Sequence, residues 1–269
     1  MTQDSEWTFE GVDTSAPNMA RSYDYWLGGS HNFAVDREYA RKILEVLPAT
    51  RQIAQDNRAF MQRAIRFMMA EGVRQFLDLG SGIPTVGNVH EIAQGIDPAT
   101  KVVYVDIDQI AVAHSEQILA DNPYGMAIRN DLRNVDDILS NDRVRDLLDF
   151  GQPIGLLFVS VLHVISNEDD PRDIIARYGA ALAPGSYLAI SHGTADNLSK
   201  EMRAAQDLSK QTATPGTLRT RAEVEELFGE FDLVEPGLVW TSEWRPEEPD
   251  DLLDQIEPMG FYVGVGRKP

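Results

Sequence analysis

The chain has 269 residues, 43% of them hydrophobic, a formal net charge of −19 and no cysteine. That is enough apolar material for one large α/β domain, or for a core with a modest extension. The missing cysteines exclude disulfides and thiolate metal sites, and the acidic balance works against a nucleic-acid partner.

No apolar run is long enough to cross a bilayer, and the first residues lack the basic-then-apolar order of a secretory signal. The expectation is a cytoplasmic protein that engages neither membrane nor nucleic acid. Residues 1–16 are polar and read as a flexible arm. Residues 17–72 read as a helical extension. Its first part is dense in aromatics and holds the pair Gly28-Gly29, where glycine permits a turn. Helical patterns follow over 36–47 and 50–72. In the second, Ile53, Phe60, Ala64, Phe67 and Met68 recur at helical spacing, with Thr50 placed to cap the start and Gly72 the end.

From residue 73 the rhythm becomes strand, turn, helix. Strands are predicted over 74–79, 101–107, 126–131 and 187–193, and helices over 86–95, 108–122, 135–150 and 171–185. The continuous apolar run 153–165 suits a central strand covered on both faces. Two late strands, 231–240 and 261–268, have no long helix between them and predict an antiparallel pair at one edge. The acidic, Pro-containing stretch 244–254 reads as a surface loop. This alternation predicts a doubly wound parallel sheet with helices on both faces.

The chemistry gathers at strand ends. Asp78-Leu79-Gly80-Ser81-Gly82 closes the first strand, where open α/β sheets bind ligands and glycine lets backbone approach them. A dinucleotide fits poorly, because the G-x-G-x-x-G pattern wants glycine where Thr85 stands and the Asp78 carboxylate would face a pyrophosphate. S-adenosylmethionine (SAM), with an ammonium, a sulfonium and no phosphate, suits that carboxylate better. Asp106, at the end of the second strand, is placed to bind a ribose diol, followed by Ile107, with Asp108 as the cap of the next helix. Asn130-Asp131-Leu132 after the third strand offers a carboxylate and a backbone amide to an adenine edge.

In that order, these segments and the run through Ser160 and Val161 resemble class I SAM-dependent methyltransferases. Pro17 to Gly29, with Asn32-Phe33, Asp36-Arg37 and Asn57 to Phe60, is similar to a bacterial family first catalogued as a domain of unknown function and later labelled S-adenosyl methyltransferase. The resemblance spans nearly the whole chain. It implies a Rossmann-like, seven-stranded, mostly parallel sheet with the last strand antiparallel, an N-terminal helical lid, and a methyltransferase core over 73–269. It also implies SAM at Asp78, Gly80, Ser81 and Gly82 (methionine portion), Asp106 and Ile107 (ribose), Asp131 and Leu132 (adenine), and Ser160 and Val161 (sulfonium). Pro84 departs from the family's further glycine and can sit at a first helical position.

In the extension, Tyr23, Tyr25, Trp26, Asn32 and Phe33 either form a lid over cofactor and substrate or only pack onto the core. Arg21 or Arg58 is placed to pair with the methionine carboxylate. His163, after the long apolar run, is the candidate general base if its pKa is near neutral, with His192 and His31 as further pocket candidates. The histidines show no metal-ligand spacing. The expected activity is methyl transfer to an oxygen or nitrogen of a small molecule, giving S-adenosylhomocysteine. The alternatives are an NAD-dependent oxidoreductase and a non-catalytic SAM-binding protein.

Overall fold

A computed structural model describes residues 14–85, 87–210, 212, 215–246 and 260–269. Most of the expected arm and much of the expected loop at 244–254 lie outside the described residues. Three helices open the chain: α1 (Met19–Trp26), α2 (Ala34–Val46) and α3 (Thr50–Ala70). Alternating elements follow: β1 (Gln75–Leu79), α4 (Val89–Ile96), β2 (Lys101–Asp106), α5 (Gln109–Ile118), β3 (Gly125–Arg129), α6 (Val135–Leu139), α7 (Asp142–Leu147), β4 (Gly155–Val159), α8 (Pro171–Ala181) and β5 (Tyr187–Gly193). The chain closes with α9 (Lys200–Ser209), α10 (Arg221–Glu226), β6 (Asp232–Leu233), β7 (Val239–Trp240) and β8 (Phe261–Arg267).

The sheet runs β3-β2-β1-β4-β5-β8-β6, with β7 also paired to β8. The first five strands in this order are parallel, and β8 lies antiparallel to β5. The sheet therefore has eight strands where seven are implied by resemblance, because the sixth is broken. Leu233 pairs with Gly266 and Val239 with Val263, so the turn at Glu235-Pro236-Gly237 loops out between two short ladders on one strand. Proline cannot donate to a ladder, which accounts for the interruption.

Both faces of the parallel strands are buried, as expected for doubly wound sheets. Side chains alternate with period two: Leu77, Val103, Leu156 and Leu188 pack on one face, while Phe76, Val102, Tyr104, Leu157 and Ala189 pack on the other. The second face is covered by α3, whose Phe60, Ala64, Ile65 and Met68 are fully buried. Phe60, Ile65 and Met68 each contribute roughly 1.5–3 kcal/mol. The far half of the predicted extension is thus sheet core.

Local signals resolve as follows. Gly72, at φ 96°, ends α3 with Val73 N–H donating to Met68 O. Thr50 does not cap α3: Ala49 holds that position, and the Thr50 hydroxyl donates to Leu47 O. Asp108 does cap α5, accepting from Ile110 and Ala111 N–H. Pro84 lies outside a helix, since α4 starts at Val89 behind an Asn88–Glu91 capping box. Only Gly155–Val159 of the long apolar run is strand; the chain turns at Ser160, φ 57°, into a 3₁₀ turn at Leu162–Val164.

Candidate functional site

The neighbours β1 and β4 mark where the strand order reverses, and the ends of β1, β2, β4 and β5 open there into a cavity of about 670 Å³. Gly80 and Gly82 shape its floor. Gly80 has φ 73°, and a Cβ built on it would lie 2.2 Å from Val161 Cγ2. Gly82 has φ 66°, and a Cβ there would meet nothing within 4 Å. The first glycine is required by close packing, and the second leaves open space. The backbone N–H of Gly82 donates to Asp106 at 2.7 Å and that of Asp108 at 2.8 Å, so the Asp106 carboxylate ties the glycine turn to the end of β2.

Period-two alternation puts Asp78 on the same face as Phe76, the face covered by α3. Its carboxyl is 5% exposed and makes no hydrogen bond among the described residues. Burial pushes its pKa up to about 7; the Arg58 charge pulls against this and the Asp106 charge adds to it. Asp106 is likewise raised by burial, to about 6, against the pull of the two backbone N–H groups it accepts.

Arg58 comes from the cavity-facing half of α3. It reaches Thr85 Oγ1 at 3.3 Å and Met61 Sδ at 3.7 Å, and its buried Nε has no partner. Beside it the Asn57 Nδ2 donates to the Tyr23 hydroxyl, which donates to Ala54 O, while Asn57 Oδ1 is buried without a partner. Arg21, the other candidate for a ligand carboxylate, is not on the cavity wall: it is buried against Asp36 at 3.1 Å.

At the opposite end Ile107 is 58% exposed and, with Asn130, Asp131 and Leu132, forms the rim beyond Asp106. Asp131 pairs with Arg133 at 2.6 Å, and Arg133 with Asp169 at 3.2 Å. Ser160 and Val161 line the wall between the two ends. Ser160 N–H donates to Ser191 Oγ at 2.8 Å, which holds this left-handed residue in place.

His163 lines the cavity, edge-on to Phe261 and His192, with its Nδ1 buried and unpartnered. Burial, and then the nearby Arg219 cation, lower its pKa to about 4. At neutral pH His163 is therefore a neutral ring, the form that accepts a hydrogen bond or a proton. His192 is not in the pocket. Its side chain is fully buried, with Nδ1 bonded to Gly193 O at 2.7 Å and Nε2 to Arg219 at 2.7 Å.

The remaining candidates of the extension divide. Tyr23 and Trp26 line the cavity, the latter with its indole N–H on Ala40 O. Tyr25 sits outside the cavity between Arg41 and Arg51. His31 is exposed and lies against His114, ring centroids 3.7 Å apart and tilted by 51°. Asn32 is buried on Asp24 and Gly29 O. Phe33 packs on Ile83, Ile110 and Ala111. These residues build the extension rather than the pocket. Asp24, which sequence reading passed over, gathers His31 N–H and Asn32, and a Cβ on Gly29 would lie 1.9 Å from its Oδ1. Asp36 gathers Asn18 N–H, Arg21 and Phe33 N–H. Of the glycine pair, Gly29 is the one that makes room for the Asp24 carboxylate.

Also missed were Asn57 and an apolar wall supplied by Met19, Tyr39, Ile43, Leu47 and Met202. The helical stripe of Met202, Ala205, Gln206 and Ser209 on α9 was the available signal. Arg219 was missed too. It is 3% exposed and bonds to Leu162 O, Ile165 O, Asn167 and His192, which fixes the loop carrying His163. Among the described residues there is no cluster of three or more metal-ligating side chains.

The sequence model of a family described as S-adenosyl methyltransferase matches residues 5–269. A candidate methyltransferase from Thermobifida fusca YX has a solved structure at TM-score 0.92 and 39% identity, covering 98% of this chain and 99% of its own. A duf574 family protein from Streptomyces avermitilis MA-4680 superposes at TM-score 0.90 with 37% identity, covering 96% and 99%. The N,N-8-amino-8-demethyl-D-riboflavin dimethyltransferase of Streptomyces davawensis shares the fold at TM-score 0.53 and 19% identity, over 95% of this chain and 63% of that one. A search of curated proteins found no match.

Proposed function

The chain belongs to the S-adenosyl methyltransferase family, and from that premise we propose how its cavity holds the cofactor and what it leaves for the acceptor. The amino-acid end of SAM lies at Asn57, Arg58 and Asp78, the ribose at Asp106, the adenine at Ile107, Asp131 and Leu132, and the sulfonium beside Ser160 and Val161. One observation carries this reading. A buried carboxyl without a hydrogen bond lies within the field of a guanidinium whose buried Nε has no partner. A free amino-acid group brings the complementary charges, ammonium to Asp78 and carboxylate to Arg58, and would satisfy both. A pyrophosphate would instead face Asp78 and Asp106, which argues against NAD.

Bound SAM supplies a methyl carbon on a positively charged sulfur, so an acceptor lone pair forms the new bond while the carbon–sulfur electrons stay on sulfur. The protein contributes placement. Buried walls exclude water, the glycine turn fixes the donor end, and the Ser160–Val161 segment borders the reacting space. His163, held neutral, accepts a hydrogen bond from the acceptor O–H or N–H, orients its lone pair, and takes the proton released as the new bond forms, passing it to water when product leaves. The acceptor is a small molecule, because the cavity is of ordinary small-ligand size, about 300–1,000 Å³. We place the activity in the cytoplasm, where a chain without cysteine loses nothing. Calorimetric titration with SAM and, separately, NAD tests the assignment. Micromolar SAM binding without NAD binding is expected; a folded sample that binds no SAM, or prefers NAD, refutes it.

A further inference from the structure

Resting on that cofactor assignment, the geometry points to a class of acceptor: an uncharged, largely apolar ring compound held between the extension and α9. The charged side chains lining the cavity are Arg58, Asp78, Asp106, Asp131, Arg133 and Asp169, all on α3, at strand ends or on the loops after β3 and β4. Among the described residues, the part enclosed by α1, α2 and α9 carries none. Its wall is Met19, Trp26, Tyr39, Ile43, Leu47 and Met202.

The polar atoms of that half are largely spent. The Tyr23 hydroxyl, the Trp26 indole N–H and the hydroxyls of Thr50 and Ser209 all donate to backbone carbonyls. His163, at its border, keeps Nδ1 unpartnered, as Asn57 keeps Oδ1, and the uncharged Tyr39 hydroxyl and Gln206 amide also line this part. A charged acceptor would be stripped of water there with no counter-ion, which costs far more than apolar contact returns. An acceptor with one O–H or N–H and a hydrophobic body finds these uncharged polar groups and otherwise apolar walls. The α9 helix has no buried residue of its own, yet turns Met202 and Ala205 to the cavity. That apolar face loses its contact with water only when an apolar body lies against it.

The test is fluorescence titration with 2-naphthol, 2-naphthylamine and 2-naphthol-6-sulfonate, each run with and without saturating S-adenosylhomocysteine. The two uncharged rings should bind, and the sulfonate at least about tenfold more weakly. Met202→Glu should weaken 2-naphthol by about tenfold while leaving S-adenosylhomocysteine affinity, read by calorimetry, unchanged, and Met202→Leu should bind as the wild type does. Equal or tighter binding of the sulfonate, no binding of either uncharged ring, or no effect of Met202→Glu overturns the inference. Ring binding that persists in a protein unable to bind S-adenosylhomocysteine would instead sink the cofactor assignment and leave the apolar site standing.

Discussion

If the ammonium of SAM pairs with Asp78, cofactor affinity must depend on pH. In the free protein burial holds the Asp78 pKa at about 7, so near pH 6 the carboxyl is mostly protonated and cannot serve a cation. Binding favours the ionised form, and a proton leaves as the ligand enters. Between pH 6 and pH 7 the ionised fraction rises from about 9% to about 50%, so affinity should tighten about fivefold, equal to about 1 kcal/mol. This window lies below the usual α-amino pKa of about 7.7–8.0, so the ligand stays protonated across it. Calorimetry in two buffers of different ionisation enthalpy reads both the affinity and the released proton. Asp78→Asn should bind more weakly and lose most of the slope. A small remainder, centred lower, comes from Asp106, which burial raises to about 6. A wild-type affinity equal at both pH values, or a slope unchanged in Asp78→Asn, would refute the pairing.

Other outcomes follow from the same residues. Arg58→Met should cost about 1.5–3 kcal/mol of SAM affinity, the worth of hydrogen bonds to a charged group, with little change in the melting temperature of the free protein, because Arg58 Nε is unpartnered there. Gly80→Ala combines a positive φ with a 2.2 Å clash on Val161, and denaturant unfolding should show a loss of about 2–4 kcal/mol. The loss of stability between pH 7.5 and pH 5 should be larger in Asp78→Asn than in the wild type, as urea unfolding at the two values would show. His163 and His192 are held near 4 and 3 by burial, below the unfolded value of about 6.5, so each loses about 2 kcal/mol as pH falls to 5. Asp78 and Asp106 are held above their unfolded values, so protonating them favours the native state over the same range and opposes the histidines. A wild type that loses as much as the variant would contradict this balance.

The sheet was readable because its signals are local. Apolar runs end at Asp78, Asp106 and Asp131, and Asp108 and Gly72 lie where a helix must start or stop. The long run 153–165 misled because hydrophobicity does not report backbone direction: Ser160 leaves the strand at φ 57° although its neighbours are apolar. The sixth strand was read whole because pattern alone does not show how Pro236 interrupts a ladder. Within the extension, which side chains face a ligand depends on tertiary partners. Arg21 is spent on Asp36 and Asn32 on Asp24, whereas Asn57 and Arg58, one helix later, keep unpartnered atoms. In α9 the residues that face the cavity, Met202, Ala205, Gln206 and Ser209, fall at helical spacing, but only two of them are apolar, so the signal is weak.

Helix α3 joins two concerns that most enzymes keep apart. At 1.5 Å per residue, Arg58 and Met68 lie about 15 Å apart on one rod, the first on the cavity wall and the second fully buried under the sheet. A rigid rod conveys a tilt at either end to the other. A change in the packing around Met68 is therefore expected to alter ligand affinity without any atom of the pocket being altered. For the same reason heat resistance is a sensitive reporter of occupancy in this molecule: a ligand that steadies Arg58 steadies the roof of the hydrophobic core.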